Sequence, residues 1–194
     1  QRMRDSLDWK NISVPFPSYT PSIKLDFGVL RPWQRRDIEV YHNLFSDADM
    51  MQWHDMPLPN RQQSLKRLAY ATQTHAYRSH WSYAIHSERH GVIGHVDLRL
   101  LSASNRSIEV SFGLRAAFRR RGFMSGTLST VATYWAEHFN VRSFYARVKH
   151  HNMASNRLLV ACKFEVCNEV SVAHLLPEIS ADHRVFYRGA RGDL

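Results

Sequence analysis

Cysteines and long hydrophobic runs are both scarce in this sequence of 194 residues. Only Cys162 and Cys167 occur, and they form no C-x-x-C pair, so we interpret them as reduced structural thiols. Apolar runs stay shorter than the roughly 18 residues of a membrane span, and the opening QRMRDSLDWK lacks the apolar core of a signal peptide. We therefore expect a cytoplasmic protein with no membrane partner.

Several motifs that bind metals or phosphates are also missing. The 12 histidines are scattered, with no HExxH and no Cys/His ligand spacing, so we expect no metal site. The GxxxxGKS/T and GxGxxG loops are absent, which excludes two common phosphate cradles. No Cys/His or Ser/His pairing typical of a covalent nucleophile is recognisable.

Positive charge is what the sequence has in excess. The 26 Lys and Arg residues outnumber the 17 Asp and Glu residues, which gives a formal net charge of +9. Such a balance predicts an anionic partner or cofactor, and it does not distinguish RNA from a phosphorylated small molecule. The basic sequence is not interleaved with aromatic residues in the way that RNA-binding motifs of the RNP type require.

The length and the apolar periodicity predict one domain of mixed structure. Residues 1–22, which include PFPSYTP, are expected to form an extended arm, and residues 23–194 the domain. Alternating apolar residues predict six strands, in LDFGVL, WSYAIHS, GVIGHVDLRLL, IEVSFGL, SFYARVKH and HRVFYRG.

Four helices are expected between these strands. Asp37, Asn60 and Asn152 are placed to cap the first, second and fourth of them, and the third begins near Met124. The apolar residues at helical spacing are Ile38, Tyr41, Leu44 and Phe45, then Leu65, Leu68 and Ala69, then Met124, Leu128, Val131 and Trp135. The order β-α-α-β-β-β-α-β-α-β predicts an α/β (α+β) fold, with a mixed, mostly antiparallel sheet flanked by helices.

The run RRRGFMSG, residues 119–126, stands between the strand IEVSFGL and the third helix. The first turn of a helix leaves backbone N–H groups unpaired and carries partial positive charge, so it attracts phosphate oxygens. Gly122 lets the backbone approach a ligand, Arg119 can add charge-assisted bonds, and Ser125 can donate one more. The run is either such a pyrophosphate cradle or an ordinary solvated basic turn.

The stretch IEVSFGLRAAFRRRGFMSGTL resembles motif A of the GNAT superfamily of acetyl-CoA-dependent N-acetyltransferases. The R/Q-x-x-G-x-G/A loop of that motif maps to Arg119-x-x-Gly122-x-Met124, and HNMASNRLLVACKFEV resembles the next motif of the family. VLRPWQRRD, the strands around Trp81 and in GVIGHVDL, and ADHRVFYR are similar to the RimJ/RimL-like branch, the ribosomal-protein N-terminal acetyltransferases. The resemblance covers residues 24–188.

Three positions depart from the family pattern. Met124 stands where the loop has glycine or alanine, Arg120 where a glycine is common, and Lys163 where a glycine ends the fourth helix. Because Leu128 and Val131 continue an apolar stripe that starts at Met124, we expect the Met124 side chain in the core.

The resemblance implies acetyl-CoA as co-substrate and direct attack by a primary amine. It implies Glu109 as the base, although Glu109 can equally be an ordinary exposed carboxylate of its strand. Asp97 and His95, on the neighbouring strand, are the alternative bases. It also implies Ser155 as the acid, since Leu159 stands where many relatives have a catalytic tyrosine. The residues implied in coenzyme binding are Phe112, Gly113, Leu114, Arg119, Arg121, Gly122, Phe123, Ser125, Gly126, Asn152 and Asn156.

The identity of the acceptor amine stays open at this point. A protein N-terminus, an amino acid and another small amine are candidates, whereas the basic charge disfavours polyamines. The first two helices and the loop at 174–182 are expected to form the acceptor site. An RNA- or ribosome-binding basic module and a non-catalytic CoA-binding fold are the alternatives, and the protein is expected to be a monomer or a homodimer.

Overall fold

The computed structural model describes residues 14–167, 174–176 and 180–189. The strands are β1 (Ile23–Leu25), β2 (Gly28–Pro32), β3 (His80–Ser87), β4 (Gly91–Ser102), β5 (Ser107–Leu114), β6 (Ser143–Lys149), β7 (Glu165–Val166) and β8 (His183–Gly189). The α-helices are α1 (Ile38–Phe45), α2 (Ala48–Met51), α3 (Arg61–Ala71), α4 (Phe123–Phe139) and α5 (Met153–Ala161). Short 3-10 turns precede α1, β3 and α4. None of these helices is long and apolar enough to cross a membrane.

All eight strands join one sheet in the order β1-β2-β3-β4-β5-β6-β8-β7. Every neighbouring pair is antiparallel except β5 and β6. The α/β (α+β) class with a mixed, mostly antiparallel sheet flanked by helices is therefore confirmed. The parallel contact is short, because only Ser107–Glu109 of β5 pair with Ser143–Tyr145 of β6.

Helices cover both faces of this sheet. On one face α4 buries its stripe of Met124, Leu128, Val131 and Trp135, which confirms that Met124 belongs to the core. On the other face α1, α2 and α3 enclose a second core, which includes Tyr41, Leu44, Met50, Leu68 and Ala84. For this reason residues 81–85 of β3 are all buried, although their alternating pattern predicts a strand with one exposed face.

The prediction of a single strand in LDFGVL is wrong. The chain turns at Asp26 and Phe27, and Leu25 pairs with Gly28, so the segment forms the hairpin of β1 and β2. Gly28 also lies against β3 so closely that a Cβ atom there would stand 2.0 Å from the carbonyl oxygen of His86. The apolar alternation of the segment does not reveal a two-residue turn inside it.

One of the predicted helix caps is confirmed, while the cap at Asp37 and the apolar face of α3 differ from the prediction. Asn60 caps α3 by accepting the Gln63 N–H at 2.9 Å, as expected. Asp37 precedes α1, but its carboxylate binds the Arg31 guanidinium at 2.7 and 2.9 Å instead of an amide of that helix. On α3 the side chains of Leu65 and Ala69 are exposed, because the buried face of this helix carries Ser64, Leu68 and Ala71 and packs on α1, where Ser64 bonds to His42.

Candidate functional site

The divergence of β5 and β6 opens a gap in the middle of the sheet. After Glu109, β5 continues to Leu114 beside β4, while β6 continues to Lys149 beside β8. Within the described residues no strand pairs with the open edge of 110–114. The open edge includes the Phe112, Gly113 and Leu114 positions expected to contact the coenzyme, and an extended ligand can pair with it as an added strand.

The loop at 119–122 joins the end of β5 to α4. Gly122 immediately precedes the helix with φ of +80°, and a Cβ atom built on it meets nothing within 4 Å. The first helical bond runs from the Gly126 N–H to the Gly122 carbonyl at 3.1 Å, so the amides of 123–125 have no partner inside the helix. Together these features form an open helix N-terminus suited to an anion.

The three arginines of the loop differ in their surroundings. The Arg119 guanidinium donates to the Leu114 carbonyl and the Asp47 carboxylate, both at 3.0 Å, and so braces the loop. Arg120 and Arg121 are exposed. Arg120 has φ of 60°, a left-handed conformation that glycine adopts without strain, which accounts for the glycine common in the resembling family.

A small cavity of about 230 Å³ lies at the start of α4. Phe123 forms one wall through an edge-on contact with Phe27 at 4.8 Å, and Gly122 and Gly126 leave the cavity open. Ser125 points its hydroxyl at the Gly122 carbonyl at 3.0 Å. The bond that we expect from Ser125 to a phosphate therefore requires a rotation of this hydroxyl.

The residues expected on the other side of the gap are Asn152, in the turn between β6 and α5, and Asn156, within α5. Asn152 caps α5 by accepting the Ser155 N–H at 3.2 Å, as the sequence predicts. The Asn156 amide donates to the Lys149 and Asn152 carbonyls and accepts from Arg184 at 2.9 Å. These bonds make Asn156 a brace of the turn, while contact of either asparagine with the coenzyme stays a prediction.

A larger cavity of about 600 Å³ lies between the sheet and helices α1 and α3. Cross-strand pairing arranges its floor in three rows, each with one residue from β3, β4 and β5 in turn. The rows are Ala84, His95 and Gly113; Ser82, Asp97 and Ser111; and His80, Arg99 and Glu109. The cavity thus brings Glu109, Asp97 and His95, the three candidate bases, onto one surface beside the gap.

His95 and Asp97 form a hydrogen-bonded pair in this floor. The Nδ1 atom of His95 lies 2.7 Å from Asp97 Oδ2, and Ser82 donates to the other carboxylate oxygen. Burial raises the pKa of Asp97, but hydrogen bonds from His80 and His95 outweigh it and hold that pKa far below its usual range. An ionised Asp97 keeps the proton on Nδ1 and leaves Nε2 as the basic atom.

The Nε2 atom of His95 is buried and has no hydrogen-bond partner among the described residues. It lies over Gly113, where a Cβ atom would stand 2.9 Å from Nε2 and 2.7 Å from the Met50 sulfur. Gly113 therefore makes room for the imidazole ring at the edge of the gap. A buried acceptor without a partner is costly, and a proton of a bound substrate would satisfy it.

Glu109 has a different environment from the one expected for a free base. Its Oε2 atom accepts from Arg99 at 2.9 and 2.5 Å, and its Oε1 atom accepts from Arg147 at 2.5 Å. Its side chain is 10% exposed. Both carboxylate oxygens therefore accept hydrogen bonds from guanidinium groups. The role of Glu109 as base stays a prediction, and His95 is the alternative base.

His54, from the loop after α2, forms part of the cavity wall with its ring 6.4 Å from the His95 ring. Burial, with a smaller contribution from the nearby His95, lowers the pKa of His54 to about 4. The sequence did not single out His54, because the loop has no periodicity that would place it beside the strands. The polar alternation of His95, Asp97 and Arg99 along β4 is the signal that reveals the cavity floor.

Replacement of His54 by Gln should change how stability depends on pH. An unfolded histidine has a pKa near 6.5, so between pH 6.5 and 4 the unfolded chain binds the proton that the folded chain excludes. Stability from this group is complete above that window and is lost as the pH falls through it. Urea unfolding at pH 7 and pH 4.5 should show that His54→Gln loses less free energy of unfolding than the wild type. Equal losses would contradict the burial of a neutral His54.

No group of three or more His, Cys, Asp or Glu side chains in the described residues is arranged to hold a metal ion. The loop at 174–182 is described only in part, so its predicted role in the acceptor site is largely outside the described residues. The backbone carbonyl of Asp182 accepts the His150 N–H at 2.8 Å, so Asp182 lies next to the end of β6.

Residues 29–165 match the family model described as an acetyltransferase (GNAT) domain. The match spans well over half of the chain, and the chain belongs to this family. It is an acetyltransferase that uses acetyl-CoA as its co-substrate. A search of curated protein sequences finds no match.

Solved structures with the same fold include acetyltransferases of several kinds. A GNAT-family acetyltransferase from Bacillus anthracis is 13% identical, with a TM-score of 0.74 over 88% of this chain and 99% of that one. RimL, a ribosomal L7/L12 alpha-N-protein acetyltransferase in complex with coenzyme A, is 18% identical, with a TM-score of 0.74 over 87% and 98%. Spermidine N-acetyltransferase from Vibrio cholerae, with CoA and spermine, is 20% identical, with a TM-score of 0.68 over 83% and 94%.

The geometry of this chain fits coenzyme A. The open edge of β5 suits an extended, amide-containing chain, and the helix N-terminus at Gly122 suits a pyrophosphate. The two features are joined by the loop that follows Leu114, and the cavity with His95 begins at the inner end of the gap. The gap and the loop therefore form a surface whose geometry suits the coenzyme, and the cavity of about 600 Å³ adjoins it.

Proposed function

We propose that the protein transfers the acetyl group of acetyl-CoA to the primary amine at a peptide or protein N-terminus, as in the RimJ/RimL-like branch. The single observation that carries this proposal is the buried, unpartnered Nε2 of His95 between the gap and the acceptor cavity. A cavity of about 600 Å³ has room for several residues of an extended peptide. The chain is proposed to act in the cytoplasm.

The residues proposed to bind the coenzyme lie along the gap and the loop. The backbone of Phe112, Gly113 and Leu114 pairs with the pantetheine arm, and the amides around Gly122 receive the pyrophosphate. Arg121 and Phe123 flank the phosphates at the mouth of the small cavity, with Ser125 and Gly126 in the first turn of α4. Arg119 supports this loop from behind, and Asn152 and Asn156 hold the opposite wall.

Acetyl-CoA supplies an acetyl thioester, which the acceptor amine attacks directly. The amine must lose a proton, because an α-amine with a pKa near 8 is neutral in only about one molecule in ten at pH 7. His95 Nε2 is proposed to accept that proton, and Asp97 stabilises the resulting imidazolium through Nδ1. Ser155, on the other wall of the gap, is proposed to return a proton to the departing thiolate. Glu109 is the competing base, and its arginine contacts favour His95.

A thiol-release screen tests the proposed function. The protein is mixed with acetyl-CoA and with N-terminal peptides, free amino acids, amine antibiotics, polyamines or aminoacyl-tRNA, and free CoA thiol is measured. N-terminal peptides should give the highest kcat/KM, because an extended peptide can fill the cavity from His95 outward. Coenzyme binding without thiol release from any acceptor would favour a non-catalytic CoA-binding fold.

The same preparation tests the nucleic-acid alternative. RNA affinity that falls steeply with salt and is unaffected by acetyl-CoA would favour an RNA- or ribosome-binding module. Competition between RNA and acetyl-CoA would instead place any RNA contact at the coenzyme loop. Size-exclusion chromatography with light scattering then distinguishes a monomer from a homodimer.

A further inference from the structure

The charges around the acceptor cavity do not match a cationic substrate. Its wall and floor carry the cationic side chains of Lys66, Arg67, Arg99 and Arg147, against two carboxylates. Both carboxylates are already bonded, Asp97 to His95 and Ser82, and Glu109 to Arg99 and Arg147. Among the described lining residues, no carboxylate is left for a second positive group of the acceptor.

Two arginines present donors that an anion could use. The Nη1 atom of Arg67, on α3, is buried without a hydrogen-bond partner among the described residues. Arg99 binds Glu109 through Nε and Nη2, which leaves its Nη1 group to another acceptor. An unpaired buried guanidinium nitrogen is costly, and a carboxylate or phosphate oxygen satisfies it with a charge-assisted bond.

The strand register sets the spacing between His95 and Arg99. His95 and Arg99 are four residues apart on the same face of β4, which corresponds to about 13 Å along the strand. The salt bridge to Glu109 holds the Arg99 guanidinium in its own row, away from His95. An amine at His95 and an anion at Arg99 are therefore separated by about three to four residues of an extended peptide.

We propose that this cavity selects acceptors that carry an anionic group about three residues from the amine, and that the acceptor is the N-terminal segment of an acidic peptide. The inference rests on the proposed function and adds to it the residues that determine specificity. Arg67 and Lys66, from α3, and Arg99, from the sheet, receive the anion. The N-terminal amine meets His95. Polyamines lack the anionic group, and the cationic side chains of the cavity repel their additional positive charges.

A peptide series tests the proposal. Tetrapeptide amides share an N-terminal alanine and carry Asp, phosphoserine, Ser or Lys at the third or the fourth position. We expect kcat/KM to be at least about tenfold higher with Asp than with Lys, because the Asp carboxylate forms a charge-assisted bond and the Lys ammonium is repelled. The phosphoserine arm distinguishes a site for phosphate from a site for carboxylate. Equal rates for Asp, Ser and Lys, or a preference for Lys, would overturn the proposal.

Substitutions on α3 test whether Arg67 causes the preference for acidic peptides. Arg67→Gln should lower the ratio of kcat/KM for the Asp peptide over the Ser peptide by about tenfold, mainly through KM. Arg61→Gln is the matched control, because Arg61 is on the same helix but pairs with Glu39 at the surface. An unchanged ratio in Arg67→Gln would overturn the assignment of Arg67. Thiol release from no peptide at all would instead contradict the proposed function.

Discussion

Replacement of Gly122 by Asp should weaken acetyl-CoA binding by at least about 100-fold, measured by titration calorimetry. The new carboxylate would stand at the start of α4, where the open backbone amides are proposed to meet the pyrophosphate. It would repel the phosphates and neutralise the positive end of the helix, with each lost charge-assisted bond contributing about 1.5–3 kcal/mol. Retained affinity would contradict the position of the phosphate site.

Gly91→Asp provides the matched control for this variant. Gly91 has φ of +67° and, like Gly122, has nothing within 4 Å of a Cβ atom built on it. It is the first residue of β4, next to the turn that follows β3, and it lines neither cavity. Both variants should lose about 1–2 kcal/mol of stability from the left-handed backbone. Only Gly122→Asp should also lose the coenzyme.

Replacement of His95 by Gln should reduce kcat by about 10²–10⁴ while acetyl-CoA affinity is preserved. Glutamine cannot accept the proton of the amine, whereas the residues proposed to contact the coenzyme are other ones, mainly on β5 and α4. Retained coenzyme affinity also shows that the variant is folded. His138→Gln is the control, because His138 stacks on Tyr134 on the opposite face of the sheet. An unchanged kcat in His95→Gln would exclude it as the base.

Glu109→Gln distinguishes the two candidate bases. If Glu109 is the base, turnover in this variant falls most at low pH while coenzyme affinity holds. If His95 is the base, the rise of kcat with pH is kept in Glu109→Gln and removed in His95→Gln. Asp97→Asn should then resemble His95→Gln, because it removes the negative charge that stabilises the imidazolium.

The sheet class, the α4 stripe and the caps at Asn60 and Asn152 were predictable from sequence because they depend on local spacing. The hairpin at Asp26–Phe27 was not, since its turn carries no glycine or asparagine at the two central positions. Leu65 and Ala69 share the helical spacing of Leu68 but are exposed, because which face of α3 is buried depends on its tertiary packing.

The residues of the candidate site also divide into those set by local sequence and those set by tertiary packing. The loop with Gly122 follows a motif of contiguous residues, so its place before α4 could be predicted. The three floor rows of the acceptor cavity depend on the pairing of β3, β4 and β5, which periodicity alone does not specify. The double salt bridge of Glu109 also joins three strands, so its competition with His95 becomes evident only in the structure.

The short parallel contact between β5 and β6 has a consequence for how the protein responds to its coenzyme. Within the sheet, the strands β1–β5 and β6–β8 meet at three residue pairs, strengthened by the bond between the Ser107 and Ser143 hydroxyls at 2.9 Å. A ligand that pairs with the free edge of β5 and contacts the turn after β6 extends this narrow seam. Acetyl-CoA bound in the gap would join β5 to the turn after β6, so we expect the coenzyme to raise the thermal stability of the folded chain as well as to react.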